Sequence, residues 1–318
     1  MSLDLRHRLR GIVTAAVVPF REGGGLDEDG YAQNVDRIMS TGRVAGILAN
    51  GHTGEILSLS RSERKRTVAI CREVVGDRGI VMGGVHGQST WETLESMQDA
   101  AEAGADCCEV FSPFVFSRGA FGYPDTVFEF YATLDREAGI PFLFMQYPPH
   151  SNLCMPADLM REVAGLANVV GVKQAVGDIS RFASERKMLK SMSNSIAYLT
   201  AGEGALFSAF SLGCDGALIG FSNFVDPIAD LWDAVQNGSI EAARSANDRL
   251  YPLSTAIYGL PSFRWSTRLK YAMWRAGYIH TPVVRGPLSG VTSGEAATID
   301  AALESLGLLR TPRPATVP

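Results

Sequence analysis

Residues 168–174 read Asn-Val-Val-Gly-Val-Lys-Gln, a short β-branched run that ends beside a lysine, Lys173. Its length and composition are typical of a strand that is buried on both faces of a parallel sheet. Seven further runs of this kind occur along the chain. The eight predicted strands are residues 12–18, 45–49, 80–85, 107–111, 142–147, 169–174, 196–200 and 216–220.

Helical patterns alternate with these strands, at residues 31–40, 61–75, 90–103, 124–138, 157–165, 179–190 and 204–212. Eight strands with intervening helices predict an α/β fold, a closed (β/α)8 TIM barrel whose functional face lies at the carboxyl ends of the strands. A doubly wound open sheet is the alternative. It would normally carry a GxGxxG after the first strand, and residues 17–20, Val-Val-Pro-Phe, offer none.

The last third of the chain shows helical patterns and no strand pattern from Asp226 onward. We therefore expect a catalytic barrel in residues 1–224. Residues 225–318 should form a C-terminal helical extension packed on the barrel, since they are too few to suggest an independent catalytic domain. The proline-bearing tail, residues 311–318, is expected to be frayed.

Composition narrows the classes of function. The chain has 318 residues and is 46% hydrophobic, so it can fill a hydrophobic core. Its net charge is −5 and its basic residues are scattered along the sequence. We therefore expect no nucleic-acid partner. No apolar run approaches the roughly 20 residues of a membrane span, and the start has no apolar signal core. These patterns predict a cytoplasmic protein without a membrane partner.

Cysteines and histidines give no sign of a metal. The five cysteines are spread out and lack a CxxC pair, so we expect buried free thiols. The five histidines, His7, His52, His86, His150 and His280, lack ligand spacing. This pattern disfavours a metal-dependent class II aldolase. Catalytic activity that is insensitive to chelators would exclude such an enzyme.

Lys173 differs from the other four lysines. Lys65, Lys187, Lys190 and Lys270 lie in amphipathic helical segments, where solvated ammonium groups are expected. A buried charge near the end of a barrel strand is costly unless it is paired with an opposite charge or has a catalytic role. Burial at that position favours the neutral amine, which is the form of lysine that attacks a ketone. The alternative is a salt-bridged lysine at the barrel rim. If Lys173 is catalytic, we expect its nitrogen to face a cavity and not to be held by a carboxylate.

Two motifs lie at the ends of predicted strands. They are residues 51–55, Gly-His-Thr-Gly-Glu, and residues 171–178, Gly-Val-Lys-Gln-Ala-Val-Gly-Asp. The first resembles the GTTGE or GSTGE loop after the second strand of the dihydrodipicolinate synthase and N-acetylneuraminate lyase family, and the second resembles the Schiff-base strand of that family. The order and the separation of about 120 residues make the combination specific, and the resemblance covers essentially the whole chain.

The resemblance implies a lyase that acts on pyruvate or another 2-keto acid, and possibly on an aldehyde, without a diffusible cofactor. Lys173 would carry the imine, while Thr53 and the loop amides would hold the keto-acid carboxylate. His52 replaces a hydroxyl residue of the loop and either binds substrate or turns to solvent. Leu218 matches a position whose backbone carbonyl faces the site. Relatives imply a homo-oligomer, either a dimer or a homotetramer.

The fifth predicted strand departs from the family pattern. Residues 145–148 read Met-Gln-Tyr-Pro where the family has YNxP, so Met145 replaces a proton-shuttling tyrosine. Tyr147 should point to the same side of the strand. We hypothesise that Tyr147, or a water that it holds, takes over part of the acid/base role. The alternative is that Tyr147 only packs or forms a pocket wall.

Two further departures concern the second substrate. Residues 112–115, Ser-Pro-Phe-Val, replace the TPYY run of the synthases, and His150 takes the place of their carboxylate-binding arginine. A histidine offers at most one charge-assisted bond in place of a bidentate fork. We therefore expect that the chain is not a true dihydrodipicolinate synthase and that its second substrate is less anionic.

An apolar pocket is suggested by Phe114, Phe116, Met145 and Tyr147, and it would suit a bulkier aldehyde. A hydratase-aldolase for an aromatic aldehyde is thus one alternative. Another is a barrel that binds a keto acid but lost turnover together with its tyrosines. Detection of a reaction product separates that binder from an enzyme.

Overall fold

The computed structural model describes residues 2–310, so the predicted frayed tail, residues 311–318, lies outside the described residues. Eight parallel strands pair in sequence order, and β8 closes the barrel against β1, where Leu218 pairs with Val13. The strands are β1 Gly11–Ala15, β2 Gly46–Leu48, β3 Ile80–Val85, β4 Cys107–Val110, β5 Phe142–Gln146, β6 Val169–Gln174, β7 Ala197–Thr200 and β8 Gly216–Ile219. The predicted (β/α)8 barrel is confirmed.

Helices surround the barrel and continue beyond it. They are α1 Ser2–Arg8, α2 Glu28–Met39, α3 Arg61–Val75, α4 Thr90–Glu102, α5 Pro124–Glu137, α6 Ala157–Ala164, α7 Ile179–Lys190, α8 Leu206–Ser211, α9 Val225–Gln236, α10 Ile240–Tyr258, α11 Trp265–Arg275 and α12 Ser293–Ser305. The bounds of α3 and α7 agree with the prediction. Helix α2 begins three residues earlier than predicted, because Asp27 caps it by accepting a hydrogen bond from the amide of Gly30.

Strand alternation decides which side chains enter the barrel. One core cluster inside the barrel contains Val13, Leu48, Cys107 and Leu218, while the other face of each strand packs against the helices. Lys173 lies on the inner face of β6 and its neighbour Gln174 on the outer face, where Gln174 donates to Glu185 of α7. The inner face at the carboxyl ends of the strands therefore carries the chemically reactive side chains.

The C-terminal helices are attached to the loops of the barrel. Ser254 of α10 donates a hydrogen bond to the carbonyl of Glu203 after β7, and Thr281 donates to the carbonyl of Phe20 after β1. Within residues 2–310, no helix is both long and apolar enough to cross a membrane.

The cysteines are free thiols, as predicted. Four of them are buried, whereas Cys154 is half-buried, so the expectation of burial is wrong for Cys154. Cys154 lies in the loop between β5 and α6, outside the packed core of the barrel.

Candidate active site

A cavity of about 500 Å³ opens at the carboxyl ends of the strands and contains Lys173 in its wall. We call it the Lys173 cavity. Its wall is built by loops and strand ends of the barrel together with residues of the C-terminal extension. Among the lining residues are His52, Thr53, Met145, His150, Lys173, Glu203, Gly220, Tyr258, Phe263 and Trp265.

Lys173 does not stand alone, contrary to our expectation. Its side chain is 7% exposed, and its Nζ lies 3.0 Å from Oε1 and 3.4 Å from Oε2 of Glu109. The expectation of an amine without a carboxylate partner is wrong, and the ion pair is a feature that we had assigned to the alternative interpretation. The same nitrogen nevertheless belongs to a residue that lines the cavity, so Lys173 is both paired and accessible.

Glu109 was missed by the sequence analysis. It stands on the inner face of β4, two residues after Cys107, and its side chain is fully buried. Burial raises the pKa of this carboxyl, and the charge of Lys173 acts in the opposite direction. The signal was a single acidic residue inside the predicted strand 107–111, Cys-Cys-Glu-Val-Phe.

The loop of residues 51–55 forms a tight turn beside the lysine. Gly51 leaves room for the packing of Leu48, because a Cβ at that position would lie 2.5 Å from Cδ2 of Leu48 and would displace that side chain. The amides of Gly54 and Glu55 donate hydrogen bonds within the turn. The amides of His52 and Thr53 donate to no other group in the part of the chain that the structure describes. Two amides of the turn are therefore available to an anion.

His52 faces the cavity, so the alternative orientation toward solvent is wrong. Its ring stacks on Phe111 with 4.1 Å between the ring centroids and meets Tyr147 edge to face at 6.2 Å. Burial lowers the pKa of His52 to about 3, and the charges of Lys173 and His86 act in the same direction. His52 is consequently a neutral imidazole at neutral pH.

Thr53 and Tyr258 approach the same point of the wall, at Gly220. A Cβ at Gly220 would lie 2.6 Å from Oγ1 of Thr53 and 3.2 Å from Oη of Tyr258. No residue within 2–310 forms a hydrogen bond with the Tyr258 hydroxyl, which is buried. Tyr258 was not identified from the sequence, because α10 lies far along the chain from the motifs. The two hydroxyls and the two amides form a small polar corner of the cavity.

Met145 stands directly beside Lys173 in the register of β5 and β6. Tyr147 follows it and packs with Met145 and Phe111 in a small apolar cluster, 9% exposed. Burial raises the pKa of Tyr147 well above its usual value, and the charge of Glu109 acts in the same direction. Tyr147 does not line the Lys173 cavity but contacts His52, which does.

The predicted lining by Phe114 and Phe116 is wrong. The chain turns outward after β4, so Phe114 is 63% exposed, while Phe116 packs edge to face against Phe130 of α5. The aromatic lining comes instead from the C-terminal extension, through Tyr258, Phe263 and Trp265.

Two predicted residues contribute less directly. His150 lies exposed in a turn after β5 and is one of the residues that line the cavity. The side chain of Leu218 packs in the core inside the barrel, and Gly220 lines the cavity instead. The roles assigned to His150 and Leu218 remain predictions.

Glu203 is a second acidic residue that the sequence analysis missed. It is half-buried in the cavity wall, and burial raises its pKa to about 7, while its own backbone amide and the charge of Lys173 act in the opposite direction. Glu203 therefore changes charge near neutral pH within the cavity.

A buried ion pair supports the 51–55 turn from behind. Lys270 of α11 lies 2.6 Å from Oε1 of Glu55, and both side chains are almost fully buried. The expectation that Lys270 is solvated is wrong, because α11 turns this face toward the barrel. Lys270 also donates to the carbonyl of Val283 and lies 3.8 Å above the ring of Phe20.

No group of three or more metal-binding side chains occurs within residues 2–310. What the site offers is a buried amine with a carboxylate beside it, and a corner of amides and hydroxyls across the cavity, at the catalytic face of a (β/α)8 barrel. These features define a class of barrel enzymes in which a lysine acts as the nucleophile.

The chain belongs to the dihydrodipicolinate synthetase family, whose model matches residues 8–306. It is a lyase of the class I aldolase type. The 4-hydroxy-tetrahydrodipicolinate synthase of Methylobacterium radiotolerans is 31% identical over 303 residues, which cover 95% of this chain and 97% of that protein.

Solved structures have the same fold. A monomeric dihydrodipicolinate synthase variant has a TM-score of 0.87 at 23% identity and covers 96% of this chain and 99% of its own. The chloride-inhibited dihydrodipicolinate synthase from Acinetobacter baumannii, complexed with pyruvate, has a TM-score of 0.85 at 21% identity, with 95% and 100% coverage.

Proposed function

We propose that the chain forms a Schiff base between Lys173 and pyruvate or a related 2-keto acid, and that it then makes or breaks a bond of this substrate. The observation that carries the proposal is the placement of Lys173 in the wall of a 500 Å³ cavity that also contains Thr53. The A. baumannii enzyme of the same fold is described as complexed with pyruvate, which supports the choice of keto acid.

The keto-acid carboxylate would bind in the polar corner of the cavity. The free amides of His52 and Thr53 would donate to it, together with the hydroxyls of Thr53 and Tyr258. Such donors suit an anion, and they would fix the orientation of the reacting bond. His52, as a neutral imidazole, contributes a hydrogen bond and no charge.

The reaction would proceed without a diffusible cofactor. The Lys173 amine adds to the 2-keto group, water leaves, and the protonated imine acts as an electron sink. Cleavage of the C3–C4 bond then leaves an enamine. With a β-hydroxy substrate, loss of a C3 proton gives the enamine, which expels the C4 hydroxyl group as water after protonation and leaves an unsaturated imine. Tyr147, or a water that it holds, would donate a proton in this sequence.

The second substrate is proposed to differ from the aldehyde dicarboxylate partner of the synthases. No arginine lines the Lys173 cavity within the described residues, and the exposed His150 is among its lining residues. The aromatic side chains of Tyr258, Phe263 and Trp265 favour a less anionic and bulkier aldehyde. A hydratase-aldolase for an aromatic aldehyde is the second candidate that this lining supports.

A homo-oligomer, either a dimer or a tetramer, is also part of the proposal. Large apolar side chains stand exposed near the catalytic face, including Leu57, Phe114 and Val115. One protein of the same fold is described as a monomeric variant, so light scattering of the purified protein must decide the state.

Product detection tests the proposed reaction. The protein is incubated with pyruvate and a panel of aldehydes that includes aspartate semialdehyde and aromatic aldehydes, and products are identified by mass spectrometry. We expect condensation or dehydration products with a non-dicarboxylate aldehyde, and none with Lys173→Arg. Fast turnover of aspartate semialdehyde would overturn the proposed choice of substrate. Absence of any product with an intact imine would favour a keto-acid-binding barrel.

A further inference from the structure

Glu109 has no role in the reaction described above, although it contacts the proposed nucleophile. Among residues 2–310 it is the only carboxylate within 4 Å of the Lys173 nitrogen. Its Oε1 lies 3.0 Å from Nζ, at an angle that does not make a good hydrogen bond, and accepts no hydrogen bond from any other described residue. The carboxylate is thus held against the amine alone.

The surroundings of Glu109 contain few other charges. Its neighbours in register are Gly84 of β3 and Leu143 of β5, which carry none. The titratable groups that face it are Lys173 from β6 and Tyr147 after β5. The neutral His52 follows Gly51, whose missing Cβ would stand 3.6 Å from Oε2 of Glu109.

A carboxylate at this position is costly to the fold. Taking a carboxylate and an ammonium out of water is costly, and an apolar side chain at this position would pack next to Cys107 inside the barrel without that cost. Transfer of one proton from Nζ to the carboxylate removes both buried charges at once. Burial, which raises the pKa of Glu109, favours this transfer.

We propose that Glu109 is the acid/base residue for imine formation at Lys173, an inference that rests on the proposed Schiff-base function. Its carboxylate accepts a proton from the Lys173 ammonium and so produces the nucleophilic amine. It is a catalytic residue because it contacts the reacting nitrogen itself.

The proton is then returned within the same cycle. The neutral amine attacks C2 of the keto acid, a carbon–nitrogen bond forms, and a proton moves from nitrogen to the former carbonyl oxygen to give a carbinolamine. The Glu109 carboxylic acid gives its proton to the carbinolamine hydroxyl, which stands two bonds from that nitrogen. The carbon–oxygen bond breaks and water leaves. The products are a protonated imine and the original carboxylate, so charge and protons balance.

Glu109 and Tyr147 have different parts in this scheme. Tyr147 keeps its proton at neutral pH because its pKa is raised well above the usual value, so it can only donate. Glu109 can accept a proton, and its oxygen is 3.0 Å from the nitrogen. Met145, beside Lys173 on β5, cannot transfer a proton, so the carboxylate supplies a base that β5 does not.

The test compares the rates of imine formation of Glu109→Gln, Glu109→Asp and the unaltered protein. Each protein is mixed with pyruvate and quenched with borohydride after set times. Mass spectrometry then measures the fraction of protein that carries the reduced adduct. We expect Glu109→Gln to form the imine about 10²- to 10⁴-fold more slowly, the range of general acid/base contributions, and Glu109→Asp to retain an intermediate rate. The rate of Glu109→Gln should stay low at every pH, since glutamine cannot protonate the carbinolamine hydroxyl even when burial without a carboxylate partner keeps the Lys173 amine neutral.

Glu185→Gln is the matched control, because Glu185 is also a buried, ion-paired carboxylate but lies outside the cavity. It should lose stability without a change in the pH dependence of the imine rate. Equal rates and pH profiles of imine formation in Glu109→Gln and the unaltered protein would overturn the inference about Glu109. They would leave the proposed Schiff base on Lys173 intact. Failure of the unaltered protein to form the imine would overturn the proposed function itself. If Glu109→Gln does not fold, a Glu109→Asp rate and pH profile equal to those of the unaltered protein would count against the inference.

Discussion

Lys270→Met should destabilise the protein and weaken keto-acid binding together. The side chains of Lys270 and Glu55 are 1% and 3% exposed, with 2.6 Å between Nζ and Oε1. Burial lowers the pKa of Lys270 to about 8, while the charge and the hydrogen bond of Glu55 act in the opposite direction, so burial outweighs Glu55 in setting the charge of Lys270. Removing both charges should therefore cost little, whereas removing one leaves the other buried without a partner.

The magnitude follows from what remains around Glu55. After Lys270→Met, the carboxylate keeps one hydrogen bond, from the amide of Arg285 at 3.2 Å. Breaking a buried pair costs about 3–5 kcal/mol, and this remaining donor places the expected loss near 3 kcal/mol of the free energy of unfolding. Addition of Glu55→Gln should restore most of that loss. Glu55 ends the 51–55 turn with a φ of 54°, so a displaced Glu55 also shifts Thr53.

Urea unfolding at pH 7 and pyruvate titration provide the assay. Lys187→Met serves as the control, because Lys187 is exposed, and it should change the free energy of unfolding by less than about 0.5 kcal/mol. A Lys270→Met protein as stable as this control would refute the reasoning. So would a double variant that loses as much as the sum of its two single variants.

Three further predictions concern the cavity. Gly220→Ala, whose Cβ would stand 2.6 Å from Oγ1 of Thr53, should raise the KM for the keto acid severalfold, and this overpacking should cost about 1–3 kcal/mol of stability although a φ of −73° suits alanine; an unchanged KM in steady-state assays would contradict the proposed carboxylate corner. Tyr147→Phe should reduce turnover about 10²-fold or more without abolishing the borohydride-trapped imine, and full turnover would remove Tyr147 from the mechanism. Affinity for the keto-acid anion should fall as pH rises through about 7, because Glu203 is neutral below that pH and negatively charged above it; Glu203→Gln should remove this inflection from a binding titration.

Much of the fold could be predicted because strand length and helix caps are local properties. All eight strands were found, and the capping box of Ser60 and Glu63 explains why α3 begins where the pattern indicated. The proximity of Lys173 and Thr53 could also be predicted, because motifs that follow different strands of a barrel meet at the carboxyl ends of those strands.

The partners of those residues could not be predicted in the same way. Glu109 is 64 residues from Lys173, and Tyr258 comes from a helix that carries no motif. Lys270 was expected on the solvated face of an amphipathic helix, yet its ammonium group pairs with Glu55 from a distant part of the sequence. Contacts between distant segments depend on packing, which periodicity does not reveal.

The central claim is that the Lys173 nitrogen forms an imine with a 2-keto acid. Borohydride reduction in the presence of pyruvate and a panel of related keto acids, followed by peptide mass spectrometry, measures this directly. We expect a stable adduct on Lys173 that disappears in Lys173→Arg. An adduct on another lysine, or no adduct with any keto acid, would contradict it.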